Sequence, residues 1–272
     1  MTSTTQPISS LPMYDWPEIS YRYDALWSAL SGYLRDHSIS APRTLSRIAG
    51  DDQFWLHPDL LIGQTCGFPY WNNLREHVSL LGTPHYDVDG CDGTAYSSAI
   101  LVRADAKWAD ISDCSGASIA VNEAGSLSGH LAMRAALGAL QHNEFQIGNV
   151  YRSGAHRQSM QMVADRRADF CAIDAVCWNM AQEVMPEVTN RLKIIGWSPQ
   201  MPGLPWITAL RSEEDLKKLR LTVKSFFSES TYKSVYKVLK IIGFSTTENS
   251  DYAKVGRLAD GKSHALVEPL LC

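Results

Sequence analysis

The sequence GSLSGH, residues 125–130, places two hydroxyls, two glycines and a histidine where an apolar run, residues 117–121, gives way to a helical pattern. The first turn of a helix has unpaired N–H groups and the positive end of the helix dipole, so it attracts anions. Ser126 or Ser128 can cap this helix and also donate to a ligand oxygen, and Gly129 lets the backbone approach closely. This spacing indicates a small oxyanion site.

The alternative is a helix cap without a ligand, and the spacing alone leaves it open. The chain has neither the G-x-x-x-x-G-K-[ST] nor the G-x-G-x-x-G pattern of nucleotide sites. The G-x-S-x-G pattern of a serine nucleophile also fails, because Ser126 directly follows Gly125 and Ser128 directly precedes Gly129. A nucleotide-binding protein and a serine hydrolase are therefore disfavoured.

A second constellation lies within residues 151–178. The sequence SGAH, residues 153–156, precedes another helical pattern, and the apolar run FCAID ends on Asp174. His156 can donate a hydrogen bond to an anion in its neutral or charged form. Asp174 can accept from a ligand amine or hydroxyl, or it can cap the helix that follows.

Apolar runs of strand length alternate with helical patterns, which is typical of βα units and a largely parallel sheet. We predict strands at residues 9–15, 44–50, 60–66, 99–104, 117–121, 170–174 and 192–198. Apolar residues at spacings of three and four predict helices at residues 23–37, 156–169 and 214–227. Because strand ends and helix N-termini meet at one mouth of an α/β sheet, both constellations are expected there.

Two segments, residues 96–121 and 197–206, have the turn-rich composition of crossings between lobes. We therefore predict a discontinuous first lobe, residues 1–103 with 200–272, and a second lobe, residues 104–199. A ligand is expected in the cleft between them.

The composition excludes several classes of protein. A formal charge of -4 and a pI near 6.1 argue against a nucleic-acid partner, and no segment approaches the roughly 18 apolar residues that span a bilayer. The six cysteines show no C-x-x-C pair and no histidine at zinc-finger spacing. We expect buried thiols, no metal and no cofactor.

Residues 1–18 show neither the basic start nor the apolar centre of a secretory leader. We therefore expect a cytoplasmic protein, or a periplasmic one if a leader has been removed.

Several segments resemble, in order, the substrate-binding component of phosphate/phosphite/phosphonate-type ABC transporters, a branch of the type 2 periplasmic-binding-protein superfamily. These segments are residues 11–15, 60–70, 125–137, 154–178 and 204–209. The resemblance spans roughly residues 11–210. It implies an α/β fold of two lobes with a double-crossover hinge and an interlobe ligand cleft.

The resemblance also implies ligand-binding residues. The family's serine-rich loop falls on Ser126, Leu127, Ser128 and Gly129, its anion-binding histidine on His156 and its acidic position on Asp174. Its cleft aromatics match Tyr14, Phe68 or Tyr70, and Tyr96. For these aromatic side chains a place in the core is the alternative.

The leading hypothesis is a solute-binding protein without catalytic residues, which clamps a small anionic or zwitterionic ligand and has an ABC permease as candidate partner. The alternative is a cytoplasmic enzyme on the same fold, similar to thiamine-pyrimidine or menaquinone-pathway enzymes, with His156 and Asp174 as acid and base. A third hypothesis is a cytosolic sensor whose basic C-terminal helices contact a partner. No activated nucleophile is visible in the sequence, which favours binding over catalysis.

Overall fold

A computed structural model of the chain describes residues 6–47, 52–123, 125–140 and 145–259. Over these residues the strands are β1 Ile8–Ser10, β2 Leu60–Gln64, β3 Val78–Tyr86, β4 Cys91–Asp92, β5 Ala95–Tyr96, β6 Ser98–Arg103, β7 Ile119–Val121, β8 Val150–Arg152, β9 Phe170–Asp174, β10 Leu192–Trp197, β11 Met201–Pro202, β12 Trp206–Ala209 and β13 Ile241–Ser245. The helices are α1 Ser20–Asp36, α2 Asp52–Trp55, α3 Gly67–Pro69, α4 Ala132–Gly138, α5 His156–Ala164, α6 Ala175–Val184, α7 Pro186–Thr189, α8 Glu213–Phe226, α9 Lys233–Lys237 and α10 Ala253–Ala259. A π-helical turn, Tyr70–Leu74, continues α3, and another, Leu127–Leu131, leads into α4.

The chain forms two compact units. Unit 1 comprises the described residues within 1–87, 92–94 and 202–253, and unit 2 those within 88–91, 95–201 and 254–272. Our prediction placed β6 in the first lobe, which was to end at residue 103. However, β6 pairs along its two edges with β10 and β9 of unit 2, so the chain first changes unit between residues 88 and 95.

Unit 1 is built on a sheet with the strand order β1-β2-β12-β3-β13. β1 and β2 are parallel, whereas β12 is antiparallel to both β2 and β3, and β13 is antiparallel to β3. Helix α1 packs against α8 and α9 and buries Leu26, Leu30 and Leu34, as its spacing predicts. Ser212 caps α8 by accepting a hydrogen bond from the Asp215 N–H at 3.1 Å.

Unit 2 is built on a sheet with the strand order β10-β6-β9-β7-β8. β6 is antiparallel to β10 and β9, whereas β7 is parallel to β9 and β8. One continuous core packs on this sheet and includes Ile100, Ile119, Met133, Leu137 and Phe170. The carboxyl ends of the three parallel strands β8, β7 and β9 therefore lie together along one edge of the sheet.

The prediction of a largely parallel sheet was wrong, because both sheets are mixed. β12 and β13 follow the return of the chain to unit 1, and they run opposite to β2 and β3. In unit 2, β6 and β10 run opposite to their neighbours. The alternation of strand and helix in the sequence does not encode these directions.

Several predicted elements were confirmed, and others need correction. Strands at β2, β6, β7, β9 and β10 and helices at α1, α5 and α8 lie where they were expected. The predicted strand 9–15 is limited to Ile8–Ser10 and is followed by a turn.

The predicted strand 44–50 is not formed over residues 44–47, where the Ser46 N–H donates to the Ser9 carbonyl at 2.7 Å. Residues 48–50 lie outside the described residues. Helix α5 ends at Ala164 rather than at residue 169, because Arg166 takes a left-handed φ of 62°. The N–H of Arg167 then donates back to the Met162 carbonyl.

None of the helices that the structure describes combines the length and the apolar character that crossing a bilayer requires.

Candidate functional site

Three loops of unit 2 begin at the same edge of its sheet. β7 and β8 are parallel with Val121 opposite Arg152, and β7 and β9 are parallel with Ala120 opposite Cys171. The segments that follow these strands are therefore neighbours. They are residues 122–123 and 125–126 after β7, residues 153–155 after β8, and the start of α6 after β9.

The loop after β7 ends in a capped helix. The Ser126 hydroxyl oxygen accepts a hydrogen bond from the Gly129 N–H at 3.0 Å, so Ser126 is the cap that the sequence predicted. Leu127 is buried in the core, so its side chain is not available to a ligand. A Cβ atom on Gly129 would lie 2.5 Å from Cγ of Asn122, so this position requires glycine.

The second serine of this loop contacts the histidine of the next loop. The Ser128 hydroxyl lies 2.8 Å from Nε2 of His156, and Ser128 is 5% exposed. The two residues are 28 positions apart in the sequence and meet because β7 and β8 are neighbours in the sheet. The structure thus brings together the two residues on which the predicted oxyanion site most depends.

The imidazole of His156 is neutral at physiological pH. Burial lowers its pKa to about 4, because a charged ring loses hydration inside the protein. The residue as a whole is partly exposed, but Nδ1 is buried and has no hydrogen-bond partner among the described residues. His156 therefore offers a hydrogen bond without a full charge.

A network of polar side chains connects the two loops behind this pair. The Ser153 hydroxyl lies 2.6 Å from the Ser159 hydroxyl, which donates to Oδ1 of Asn122 at 3.1 Å. The Gly154 N–H donates to the Asn122 carbonyl at 3.0 Å, and Gly154 has a φ of 87° that glycine adopts without strain. The sequence pattern did not indicate Asn122 or Ser159 as site residues. The available signal was that Asn122 directly follows β7.

Asp174 caps α6, the third helix that begins at this edge of the sheet. Its Oδ1 accepts hydrogen bonds from the N–H groups of Val176 and Cys177, at 2.8 and 3.2 Å, and the residue is 1% exposed. This is the capping role that the sequence left as an alternative to ligand binding. The acid–base role of the enzyme alternative finds no support here, since this oxygen already serves two backbone donors.

The predicted aromatic positions are mostly packed in the interior. Tyr14 is buried in unit 1, where its ring meets Tyr86 edge-on at 5.5 Å. Tyr70 is also buried in unit 1, and its hydroxyl bonds to Oδ1 of Asn249. Tyr96 is buried in unit 2, and Phe68 of unit 1 is half-buried. A ligand contact by these residues stays a prediction.

The residues at this edge suit an anion. Two helices, Leu127–Gly138 and α5, begin there, and helix N-termini carry partial positive charge and free N–H donors. Hydroxyls and a neutral imidazole add directed donors. Within the part of the chain that the structure describes, no group of three or more His, Cys, Asp or Glu side chains could hold a metal ion.

The fold is that of the periplasmic solute-binding proteins. PhnD1 from Prochlorococcus marinus in complex with methylphosphonate superposes with a TM-score of 0.72 and 14% identity, over 94% of this chain and 97% of that one. A binding protein component of an ABC phosphonate transporter from Pseudomonas aeruginosa gives 0.69 and 17% identity, over 96% and 90%. XAC2383 from Xanthomonas citri bound to ATP gives 0.67 and 14%, over 94% and 96%.

The sequence model of one family, the phosphonate periplasmic substrate-binding proteins of ABC transporters, matches residues 59–252. This match covers well over half of the 272 residues, and the chain belongs to this family. It is a solute-binding protein, and the enzyme alternative is not favoured. A comparison with curated protein sequences finds no match.

Proposed function

We propose that the chain binds a small phosphonate-like or phosphate-like oxyanion at the neighbouring carboxyl ends of β7 and β8. The contact between Ser128 and His156 is the observation that carries this proposal. The two loops are distant in sequence, but their hydrogen-bond donors lie together at these strand ends. Each loop is followed by a helix, and the N-terminus of each helix adds partial positive charge at the same site.

The proposed contacts use dipoles in place of full charges. The Ser126 hydroxyl and the first N–H groups of the Leu127–Gly138 helix would each donate to a ligand oxygen. Because Ser128 and His156 share one hydrogen bond, one of these two groups would keep a proton for the ligand. Hydrogen bonds to a charged oxyanion are about twice as strong as neutral ones, and they strengthen where water is excluded. Such a site favours tetrahedral oxyanions, because each of their oxygens can accept a hydrogen bond from a different donor.

The proposed role is delivery of this ligand to an ABC permease from the periplasm, as the family description implies. The interlobe cleft expected from the resemblance stays a prediction. Aminoethylphosphonate would also need an acceptor for its amine, for which Asp174 is the predicted residue.

Isothermal titration tests the proposal with methylphosphonate, phosphite, phosphate, aminoethylphosphonate, sulfate and taurine. We expect heat with at least one phosphorus oxyanion, and the heats with sulfate and taurine measure how far the site distinguishes phosphorus oxyanions from sulfur oxyanions. Binding should weaken by roughly 10- to 100-fold in Ser128→Ala, because a hydrogen bond to a charged group contributes about 1.5–3 kcal/mol.

Ser118→Ala is the matched control. Ser118 precedes β7 at the opposite end of the strand, and its hydroxyl donates to Oδ2 of Asp169 at 2.6 Å. This variant should lose stability but keep the affinity of the native protein. The proposal fails if none of the six compounds binds, or if both variants lose affinity equally.

A further inference from the structure

A second cavity lies within unit 2, beside the C-terminal half of α4. Its volume is about 310 Å³, and its lining includes Arg134, Ala135, Pro199, Met201, Lys254 and Leu258. Arg134 follows Ser128 by six residues, which places it roughly 9 Å further along the helix. The cavity is therefore distinct from the oxyanion site at the start of the same helix.

Arg134 is a buried cation with no ion-pair partner among the described residues. The residue is 7% exposed, and its Nε is buried without a hydrogen-bond partner among the described residues. Burial lowers the pKa of its guanidinium, but arginine stays protonated in proteins. A buried N–H without a partner is unfavourable, so the guanidinium has hydrogen-bonding capacity left for an anionic partner.

Lys254 contributes a second positive charge to the same cavity. Its ammonium group donates to the Gln200 carbonyl at 2.6 Å, which is a neutral partner, and the described lining residues include no carboxylate. The C-terminal end of α4 also lies beside the cavity. Its dipole supplies only about half a negative charge, which leaves most of the two cationic charges uncompensated.

The remaining lining is apolar. Ala135, Pro199, Met201 and Leu258 offer no donors to the outer oxygens of a fully hydrated ion, and leaving such oxygens unpaired in an apolar site is costly. A ligand with one compact anionic end and a hydrocarbon body satisfies both parts of the lining.

We propose that this cavity is a second ligand site, which binds a small aliphatic carboxylate through Arg134 and Lys254 with its hydrocarbon chain against Met201 and Leu258. A guanidinium presents two parallel N–H donors that match the two oxygens of a carboxylate. This proposal does not rest on the proposed function at the other end of the helix.

The experiment uses the full chain with ¹³C-methyl-labelled methionine, and the Met201 signal is assigned with Met201→Leu. Hexanoate, hexylamine and inorganic phosphate are titrated separately, each with and without saturating methylphosphonate. Hexanoate should shift the Met201 methyl signal under both conditions. Hexylamine, which has the same chain and the opposite charge, should not shift it, and phosphate should act at least about tenfold more weakly.

Arg134→Met removes the charge and keeps an unbranched apolar side chain. This variant should bind hexanoate at least about tenfold more weakly and should melt at the same or a higher temperature, since an unpaired buried charge has been removed. Arg134→Lys keeps the charge and should retain partial binding, and it serves as the test if Arg134→Met does not fold. Arg167→Gln, at a side chain that is 58% exposed, makes the same change of charge as a control.

The proposal is overturned if hexanoate leaves Met201 unshifted, if Arg134→Met binds it as well as the native chain does, or if hexylamine binds equally. It is also overturned if methylphosphonate displaces hexanoate in direct competition, because the two compounds would then share one site. Loss of methylphosphonate binding alone contradicts only the proposed function.

Discussion

The pairing of Ser128 with His156 determines the chemistry available at the oxyanion site. A hydroxyl and a neutral imidazole 2.8 Å apart share one hydrogen bond, which leaves one of the two groups with a proton to donate to a ligand. Since Nδ1 of His156 is buried without a partner among the described residues, the ring has hydrogen-bonding capacity left for a ligand or for bound water.

The neutral state of His156 predicts a dependence of stability on pH. Burial lowers the pKa of this ring from 6.5 to about 4, so between these values the unfolded chain binds a proton that the native protein does not. Stability should therefore fall as the pH falls through this window. At pH 5 the native chain should have lost about 2 kcal/mol relative to its value at pH 7 from this residue.

Urea unfolding of the native chain and of His156→Gln at pH 7 and pH 5 measures this effect. The native chain should show the larger loss, because the variant lacks this titration. Burial also lowers the pKa of His85, and the comparison cancels that contribution, which both proteins share. Equal losses in the two proteins would contradict a neutral, buried His156.

At the scale of elements, the site depends on how closely the Leu127–Gly138 helix approaches the loop before it. Gly129 faces the side chain of Asn122, whose Oδ1 in turn accepts from Ser159 of α5. The side chain of Asn122 therefore contacts the starts of two helices, and displacing it should affect both helices.

A pair of glycine substitutions in this helix separates packing from helix propensity. Gly129→Ala would place a Cβ 2.5 Å from Asn122 Cγ and should destabilise the protein by about 1–3 kcal/mol, with a loss of oxyanion affinity. Gly138→Ala, where no atom of the described residues beyond its own helical turn lies within 4 Å of the added Cβ, should stabilise it by about 0.5–1 kcal/mol.

Chemical denaturation and methylphosphonate titration of both variants provide the measurement. If Gly129→Ala keeps native stability and affinity, the contact with Asn122 does not constrain the loop.

At the scale of the whole molecule, the reactivity of the cysteine thiols measures the opening of each unit separately. Cys66 of unit 1 is half-buried, whereas Cys114, Cys171 and Cys177 of unit 2 are buried. Burial raises the pKa of Cys114 to about 12 and that of Cys171 still further. Because the thiolate is the reactive form, these unit 2 thiols should react only when the unit opens.

Alkylation with iodoacetamide at pH 8, mapped by mass spectrometry, should label Cys66 first and the three buried cysteines of unit 2, Cys114, Cys171 and Cys177, far more slowly. If methylphosphonate binds unit 2, a concentration of about 100 times its Kd should slow labelling of these three by up to about 100-fold. If Cys171 in the native protein is labelled as fast as Cys66, Cys171 is not buried in the core of unit 2.

Strands that are short, apolar and free of breakers could be predicted from the sequence, as for β6, β7 and β9. β3 could not, because Gly82 and Pro84 interrupt its pattern. In the folded sheet a Cβ at position 82 would lie 2.2 Å from the Ser245 carbonyl oxygen of β13, so a neighbouring strand that is distant in sequence requires the glycine. Tyr14 and Tyr70 pose the same difficulty, since an aromatic residue that packs in a core looks the same in sequence as one that lines a binding site.

The amino-acid sequence by itself determined which residues could bind an anion, because serine and glycine before an apolar helical pattern specify a capped N-terminus wherever the helix lies. Only the tertiary structure decided that Ser128 meets His156, that Asp174 caps a helix, and that Arg134 is buried in a second cavity. These outcomes depend on strand order, strand direction and burial, which arise from contacts between segments far apart in the chain.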